Sequence, residues 1–304
     1  MAAPTTARPA GRASARGRRG RLATATPSWR VLALFLGPCL LLLVLTRVGP
    51  FVATVVQALG QDGDLFATFG DLFRSPTFTA SVRTTLWFSL LINPFQIGLA
   101  LLLAVLLTQR LPATGLWRTL VFVPVAVPPA VSAIIWGLAL RTPDGLVNGL
   151  LGVLGVQPQP FLTSAGQALP SIIVIATWVG VGYWMMLLIA AIQDVPRDLL
   201  EAAAVDGAGW WRRFRHVTVP QLRRPLLFVL VADTVANFLL FVPVQLLTRG
   251  GPAGSTDLLM YEIYRQAFTY GDRRLAAAEV LVLVGLMMVI VAAQMRLLGR
   301  EDDG

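Results

Sequence analysis

The chain has 304 residues, is 56% hydrophobic and only 13% charged, and has a mean hydropathy of +0.69. A soluble domain carries about 25% charged residues, so this one lacks the charge to cover a water-facing surface and belongs in a membrane. All 25 basic residues are Arg, one Cys (Cys39) and one His (His216) are present, and these counts exclude a phosphate-binding Walker A lysine, a disulfide framework and a multi-ligand Cys/His metal site.

The first 30 residues contain ARPAGRASARGRRGR, a basic, small-residue-rich run expected to be a disordered tail attracted to anionic lipid. The Arg18-Arg19 pair before an apolar run also fits a twin-Arg export signal, but no small-residue cleavage site follows at the usual distance. The net charge of +9 needs no nucleic acid to explain it.

About 20 apolar residues cross 30 Å of hydrocarbon. On that measure spans are predicted from Val31 to about Arg47, over 84–109, 119–140, 171–192 and 225–248, and over 275–295. The first is short and ends on an Arg able to snorkel. Gly145, Asn148, Gly152, Gly155, Pro158 and Pro160 mark a loop between the third and fourth spans. The fold class is therefore all-α, a six-helix polytopic membrane protein. The tail to Arg30, the turn at 110–118, the segment 193–224 and the C-terminal tail hold 17 Arg; the alternate loops hold 7. The positive-inside rule then puts both termini in the cytoplasm.

The segment from Gln193 to Pro225 is long for a loop of such a protein. Asp198, with Glu201 three residues on, is expected to cap a short helix whose small apolar face is Leu199, Leu200, Ala202, Ala203 and Val205. Asp206-Gly207 signals a turn, a second amphipathic stretch runs from Trp210 to His216, and Pro220 and Pro225 punctuate the return to the membrane. On physical grounds alone two readings stay open: a hairpin lying on lipid, or a docking element for a soluble partner.

Glu201-Ala202-Ala203, Gly207 and Val217-Thr218-Val219-Pro220 closely resemble the cytoplasmic signature of binding-protein-dependent ABC importer permeases, with Asp206, Ala208 and Phe214 fitting the carbohydrate branch. The likeness extends from about Val31 to Leu298. It includes Phe122-Val123-Pro124 through Trp136, and Leu247-Thr248-Arg249-Gly250-Gly251-Pro252 with Ser255-Thr256 and Tyr261, which are similar to the first membrane subunit of maltose, lactose and glycerol-3-phosphate importers.

That resemblance implies a type I importer permease domain over 31–298, with residues 1–30 and 299–304 as cytoplasmic tails and 193–224 as a coupling loop. In this loop Glu201, Ala202, Ala203, Asp206, Gly207, Ala208, Phe214 and Pro220 engage an ATPase. It implies a second homologous permease subunit, two cytoplasmic ATPase subunits, an extracytoplasmic solute-binding protein and the plasma membrane of a prokaryote. The chain itself is then non-catalytic and holds no cofactor or metal, ATP and Mg being used by the ATPase. Two departures are Val242 and Glu279, where that group often has an Asp and an apolar residue.

Ionisable and amide groups within spans are functional candidates. Asn237, Phe241 and Gln245 lie four apart on the fifth span and suit a sugar, whose hydroxyls need donors and acceptors; an interhelical hydrogen-bond seam is the alternative. Tyr183 and Trp184, with Trp178, either line a pathway or form an aromatic belt. Asp233 lies on the same face as Asn237, and Glu279 is expected in the first turn of the sixth helix, where the dipole favours a carboxylate. Pro38, Pro94, Pro124, Pro128 and Pro129 predict kinks in the first three helices. The function expected is import of a di- or oligosaccharide, polyol or sugar phosphate by alternating access. The rivals are an ABC importer permease for amino acids or peptides, and an ion-coupled secondary transporter, whose two halves should show matching repeats.

Overall fold

The computed structural model describes residues 29–59, 65–109 and 112–299, and the chain divides into two compact units, Met1–Pro50 and Phe51–Gly304. The basic tail expected over residues 1–28 and the end of the C-terminal tail, residues 300–304, lie outside the described residues. In the first unit α1 (Trp29–Leu43), with Pro38 inside it, runs into a wide π-helical turn, Val44–Val48. The apolar run does not end at Arg47 as predicted. Helix α2 (Gly49–Leu59) follows, and Ala33–Leu59 as a whole is long and apolar enough to cross a membrane.

The second unit continues with α3 (Leu65–Arg74), and Ser75 then caps α4 (Pro76–Thr108) by accepting from Phe78 N–H. Pro at the first helical position suits this start, because its missing N–H would have no helical partner there. α4 thus begins eight residues before the predicted span. α5 (Thr114–Phe122), a 3-10 turn at Val123–Ala126 and α6 (Pro129–Ala139) replace the predicted straight span over 119–140 with two arms bent by 103°. Pro124, Pro128 and Pro129 account for the bend, since each lacks an N–H and Pro129 pushes Pro128 out of the helical region.

After α6, Arg141 donates two hydrogen bonds to Asp144, at 2.9 and 2.6 Å, and holds that exposed carboxyl below its usual range. The predicted loop that follows contains a helix, α7 (Leu146–Val153). Asn148 anchors it: its amide donates to the carbonyls of Arg141 (3.2 Å) and Gln159 (3.0 Å), and its oxygen accepts from Gln159 N–H (2.8 Å).

α8 (Ala165–Gln193) is the central helix and packs along α4 and against α5, α6 and α12. Then come α9 (Arg197–Val205), α10 (Trp210–Arg213), a π turn at Phe214–Thr218, α11 (Val219–Gln221) and α12 (Arg223–Phe238). The predicted fifth span, 225–248, is broken. α12 ends at Phe238, Leu239–Phe241 leave the helix, and a π turn at Val244–Thr248 follows Pro243. The remaining elements are α13 (Leu259–Tyr264), a π turn at Arg265–Tyr270 and α14 (Arg273–Gly299).

Four helices among the described residues, 33–59, α4, α8 and α14, are each long and apolar enough to cross a membrane; the bent α5–α6 pair and the broken 223–248 segment correspond to the other two predicted spans. No strand occurs among the described residues, so the fold is all-α. Close packing drives helix association where lipid is as apolar as the side chains, and the buried clusters lie between helices. Ala100, Ala104, Val181, Met185, Leu188 and Val229 join α4, α8 and α12; Phe78, Phe238, Leu259, Ala278 and Leu283 join α4, α12, α13 and α14.

Candidate functional site

Helix α4 carries polar residues at a four-residue spacing down its buried face: Ser81, Thr85, Ser89 and Asn93, with Gln96 one turn further. Side chains four apart on a helix stack on one face, so this stripe faces the bundle. Thr85 accepts from Leu259 N–H at 2.7 Å. The amide of Asn93 donates to Ser89 (3.0 Å) and Thr234 (2.9 Å), and its oxygen accepts from the amide of Asn237 at 2.8 Å. Gln294 of α14 also donates to Thr234, at 2.9 Å. Asn237 therefore does join an interhelical seam, one of the two roles its sequence position suggests.

The same residue borders a cavity of about 400 Å³ between α4, α6, α8 and α12. Gln96 comes from α4, Ser132 from α6, Gly180, Tyr183 and Trp184 from α8, and Asp233 and Asn237 from α12. Trp184 donates its indole N–H to Asp233 Oδ1 at 2.7 Å, and Tyr183 stands edge-on to Trp184 with ring centroids 4.8 Å apart. Three polar atoms of this wall are buried and have no partner within the chain: Gln96 Oε1, Ser132 Oγ and Asp233 Oδ2. Buried polar atoms are nearly always paired in native proteins, so three unpaired ones on residues around one cavity make this the polar candidate site of the bundle.

Of the predicted pathway residues, Asn237, Tyr183 and Trp184 meet at this cavity. Phe241 and Gln245 do not. The helix ends before them, so the one-turn spacing that put them below Asn237 fails; Phe241 packs on Tyr264 at 4.9 Å and Gln245 lies in the π turn beyond the break. Trp178 packs edge-on against Trp136 at 5.6 Å and stays off the wall. Gln96 and Ser132 escaped the sequence reading, although a Gln and a Ser inside apolar spans are the signal that singled out Asn237. Glu279 lies in the second turn of α14, because the helix starts at Arg273, and both its carboxylate oxygens are buried without a partner.

Segment 249–270 forms a folded turn. Arg265 pairs with Asp257 at 2.9 Å and with buried Glu262, while its guanidinium lies over the Tyr261 ring. Burial pushes the Asp257 carboxyl above its ordinary range even though Arg265 pulls it down.

In segment 193–222 the first helix is capped differently from the prediction. Pro196 occupies the N-cap, α9 starts at Arg197, and Asp198 lies within the first turn and makes no capping hydrogen bond; there it still meets the positive end of the helix dipole. At the other end the Asp206-Gly207 turn is a Schellman motif. Ala208 N–H bonds Ala203 C=O at 2.9 Å, Gly207 N–H bonds Ala204 C=O at 3.0 Å, and Gly207 has φ +77°. Phe214 stacks on Trp210 at 5.5 Å, and Pro220 sits at the start of α11. No residue of α9, α10 or α11 is buried, and Leu199, Val205, Trp210 and Trp211 are exposed.

Membrane-length helices, a polar-edged cavity between α4, α6, α8 and α12, and a structured loop between α8 and α12 define a multi-pass membrane protein of the permease class. Residues 96–301 match the family described as binding-protein-dependent transport system inner membrane component, and the chain belongs to that family. It is 36% identical over 234 residues, 77% of this chain and 79% of the relative, to the sn-glycerol-3-phosphate transport system permease protein UgpA of Pectobacterium atrosepticum. The same protein of Agrobacterium fabrum is 32% identical over 231 residues, 76% and 78% of the two chains. In fold the chain is similar to a bacterial ABC transporter involved in the import of the acidic polysaccharide alginate, with a TM-score of 0.82 over 90% of this chain and 96% of that one at 24% identity.

Proposed function

We propose that this chain is one of two homologous membrane subunits of an ATP-driven importer for a polyhydroxylated solute: a di- or oligosaccharide, a polyol or a sugar phosphate. The single observation that carries the solute pathway is the cavity between α4, α6, α8 and α12, where Gln96, Ser132 and Asp233 leave polar atoms unpaired beside the Tyr183 and Trp184 rings. Hydroxyl groups satisfy such atoms, and the C–H faces of a sugar pack on rings. The relatives that transport sn-glycerol-3-phosphate by name support this class.

The chain has no nucleotide site of its own in this reading; two cytoplasmic ATPase subunits bind ATP and Mg. They dock on segment 193–222, where the exposed Leu199, Val205, Trp210 and Trp211 offer an apolar surface to a groove. Ala202 and Ala203 give α9 a slim profile for close approach, Glu201 beside them offers an exposed carboxylate, Asp206, Gly207 and Ala208 form its turn, and Phe214 and Pro220 shape the returning arm. A solute-binding protein delivers cargo on the opposite side, and closure of the ATPase pair draws the loops together and turns the cavity outward. Both termini are cytoplasmic, as the Arg asymmetry requires.

Reconstitution of the permease with its co-purifying ATPase and binding protein in liposomes tests the reading. Solute uptake driven by enclosed ATP is expected, and transport driven by an ion gradient without ATP overturns it. For orientation, Ala253→Cys on a Cys39→Ser background is expected to be labelled only from outside the cell; labelling only from the cytoplasm reverses the topology.

A further inference from the structure

The charge of the cavity wall carries the reading of that site one step further, to the kind of solute that fits it. None of the residues lining the cavity is basic. An anionic solute in a bilayer-depth site needs a cation or several convergent N–H donors, because desolvating a phosphate or carboxylate without compensation is prohibitive. This wall offers no cation, only neutral amides and hydroxyls and the Asp233 carboxyl. Gln96 Oε1 is an acceptor, Ser132 Oγ is an acceptor or donor, and Asp233 Oδ2 is an acceptor when ionised and a donor when protonated. Of the nearby donors, Trp184 N–H is spent on Asp233 and one N–H of the Asn237 amide on Asn93; the Gln96 amide and the Ser132 and Tyr183 hydroxyls are neutral donors that suit a hydroxyl group and supply no counter-charge.

In neither protonation state does Asp233 supply a counter-charge for an anion. Ionised, it repels one in a low-dielectric site; protonated, it offers a single O–H donor and no positive charge to offset the desolvation of a phosphate or carboxylate. Each of the three side chains with an unpaired atom is at most 2% exposed, so these atoms lie within the cavity wall and not in open solvent.

We propose that the cavity is selective for uncharged polyhydroxylated solutes, neutral sugars or polyols, and rejects phosphorylated or uronic-acid ones, in contrast to the phosphate ester and the acidic polysaccharide named for its relatives. This rests on the reading of the cavity as the solute pathway.

The test uses the reconstituted complex with its binding protein and two probe sets. One is neutral (glycerol, maltose, trehalose and maltotriose); the other is anionic (sn-glycerol-3-phosphate, glucose 6-phosphate and digalacturonate). Stimulated ATP hydrolysis and uptake are read for wild type, Gln96→Ala and Ser132→Ala, with ATPase retention confirming assembly. At least one neutral probe is expected to be transported with a KM tenfold or more below that of every anionic one. Both variants should raise that KM at least threefold with kcat little changed.

Transport of an anionic probe in preference, with its KM raised by the same two variants, overturns the neutral selectivity while leaving the cavity as the pathway. Unchanged KM in both variants, whatever the transported probe, overturns the pathway and the selectivity with it. No stimulation by any neutral probe also overturns the selectivity.

Discussion

Trp184 of α8 and Asp233 of α12 meet at the cavity wall, where the indole N–H donates to one carboxylate oxygen at 2.7 Å and leaves the other free. The bond joins the central helix to the broken one, and it fixes the orientation of the carboxylate beside the cavity. Trp184→Phe keeps most of the apolar volume but strands a buried acceptor, at a cost of about 1–3 kcal/mol. Asp233→Asn retains an acceptor oxygen and should cost less. Thermal unfolding of the purified complex is expected to show the larger drop for Trp184→Phe. The double variant Trp184→Phe with Asp233→Leu should fall short of the sum of its parts by about 0.5–3 kcal/mol; strict additivity would mean the bond contributes nothing.

Two glycines one half-turn apart on α8 predict opposite outcomes. A Cβ at Gly182 would lie 2.4 Å from the Val121 carbonyl and 3.0 Å from Phe122 Cα, whereas one at Gly180 would meet only the Gln96 side chain, its amide nitrogen at 2.3 Å. Backbone cannot step aside, so Gly182→Ala should separate α5 from α8 and cost about 1–3 kcal/mol. Gln96 can rotate away. Gly180→Ala is expected to leave stability close to wild type and to alter solute KM by displacing Gln96. Size-exclusion profiles after heating, set beside uptake kinetics, separate the two; equal stability loss in both would refute the contrast.

How far the sequence carries can be seen along α12 and α4. The apolar stretches announce nearly every span, and Gly207 announces its turn, because length, hydropathy and a glycine's backbone freedom are local properties. The bend at Val127–Pro128 was legible only as a cluster of prolines, since a kink's angle depends on what the arms pack against. The Asn237, Phe241 and Gln245 stripe failed for a related reason: four-residue spacing means one face only while the helix continues, and it stops at Phe238. The α4 stripe from Ser81 to Gln96 was visible by the same spacing, yet Ser and Thr in membrane helices so often bond their own carbonyls that it takes the bonds of Thr85 to Leu259 and of Asn93 to α12 to reveal its purpose.

The Arg265 cluster predicts a pH slope as well as a stability loss. Arg265→Leu leaves Glu262, which is fully buried, with only Gln266 as a side-chain partner, and breaking such a pair costs about 3–5 kcal/mol. Glu262→Gln keeps a partner for Arg265 and should be milder. Because burial raises the Asp257 carboxyl in the folded state, its stabilising contribution is full below the ordinary Asp value of about 3.9 and is lost as the pH rises through the folded value. Asp257→Asn should remove that slope, so its melting temperature is expected to gain on wild type as the pH is raised. A variant that falls further behind wild type as the pH rises would show that pairing with Arg265 outweighs burial.

The loop between α9 and α10 yields the sharpest expectation, because its geometry is closed by hydrogen bonds a side chain would disturb without touching the membrane helices. Gly207, at φ +77° with nothing within 4 Å of where a Cβ would lie, has room for a side chain but not the backbone preference. Gly207→Val therefore costs about 1 kcal/mol or more in the turn alone and reopens the two bonds that end α9. Ala203→Asp leaves the turn intact and places a charge on the face next to Ala208. If that face enters an ATPase groove, the desolvated charge costs about 2–5 kcal/mol of binding. Both variants should insert normally and still accept the binding protein, while ATPase retention on the purified complex and solute-stimulated hydrolysis fall together. Wild-type values of both quantities in the two variants would instead place the loop on lipid, with Trp210 and Trp211 as its interfacial anchors.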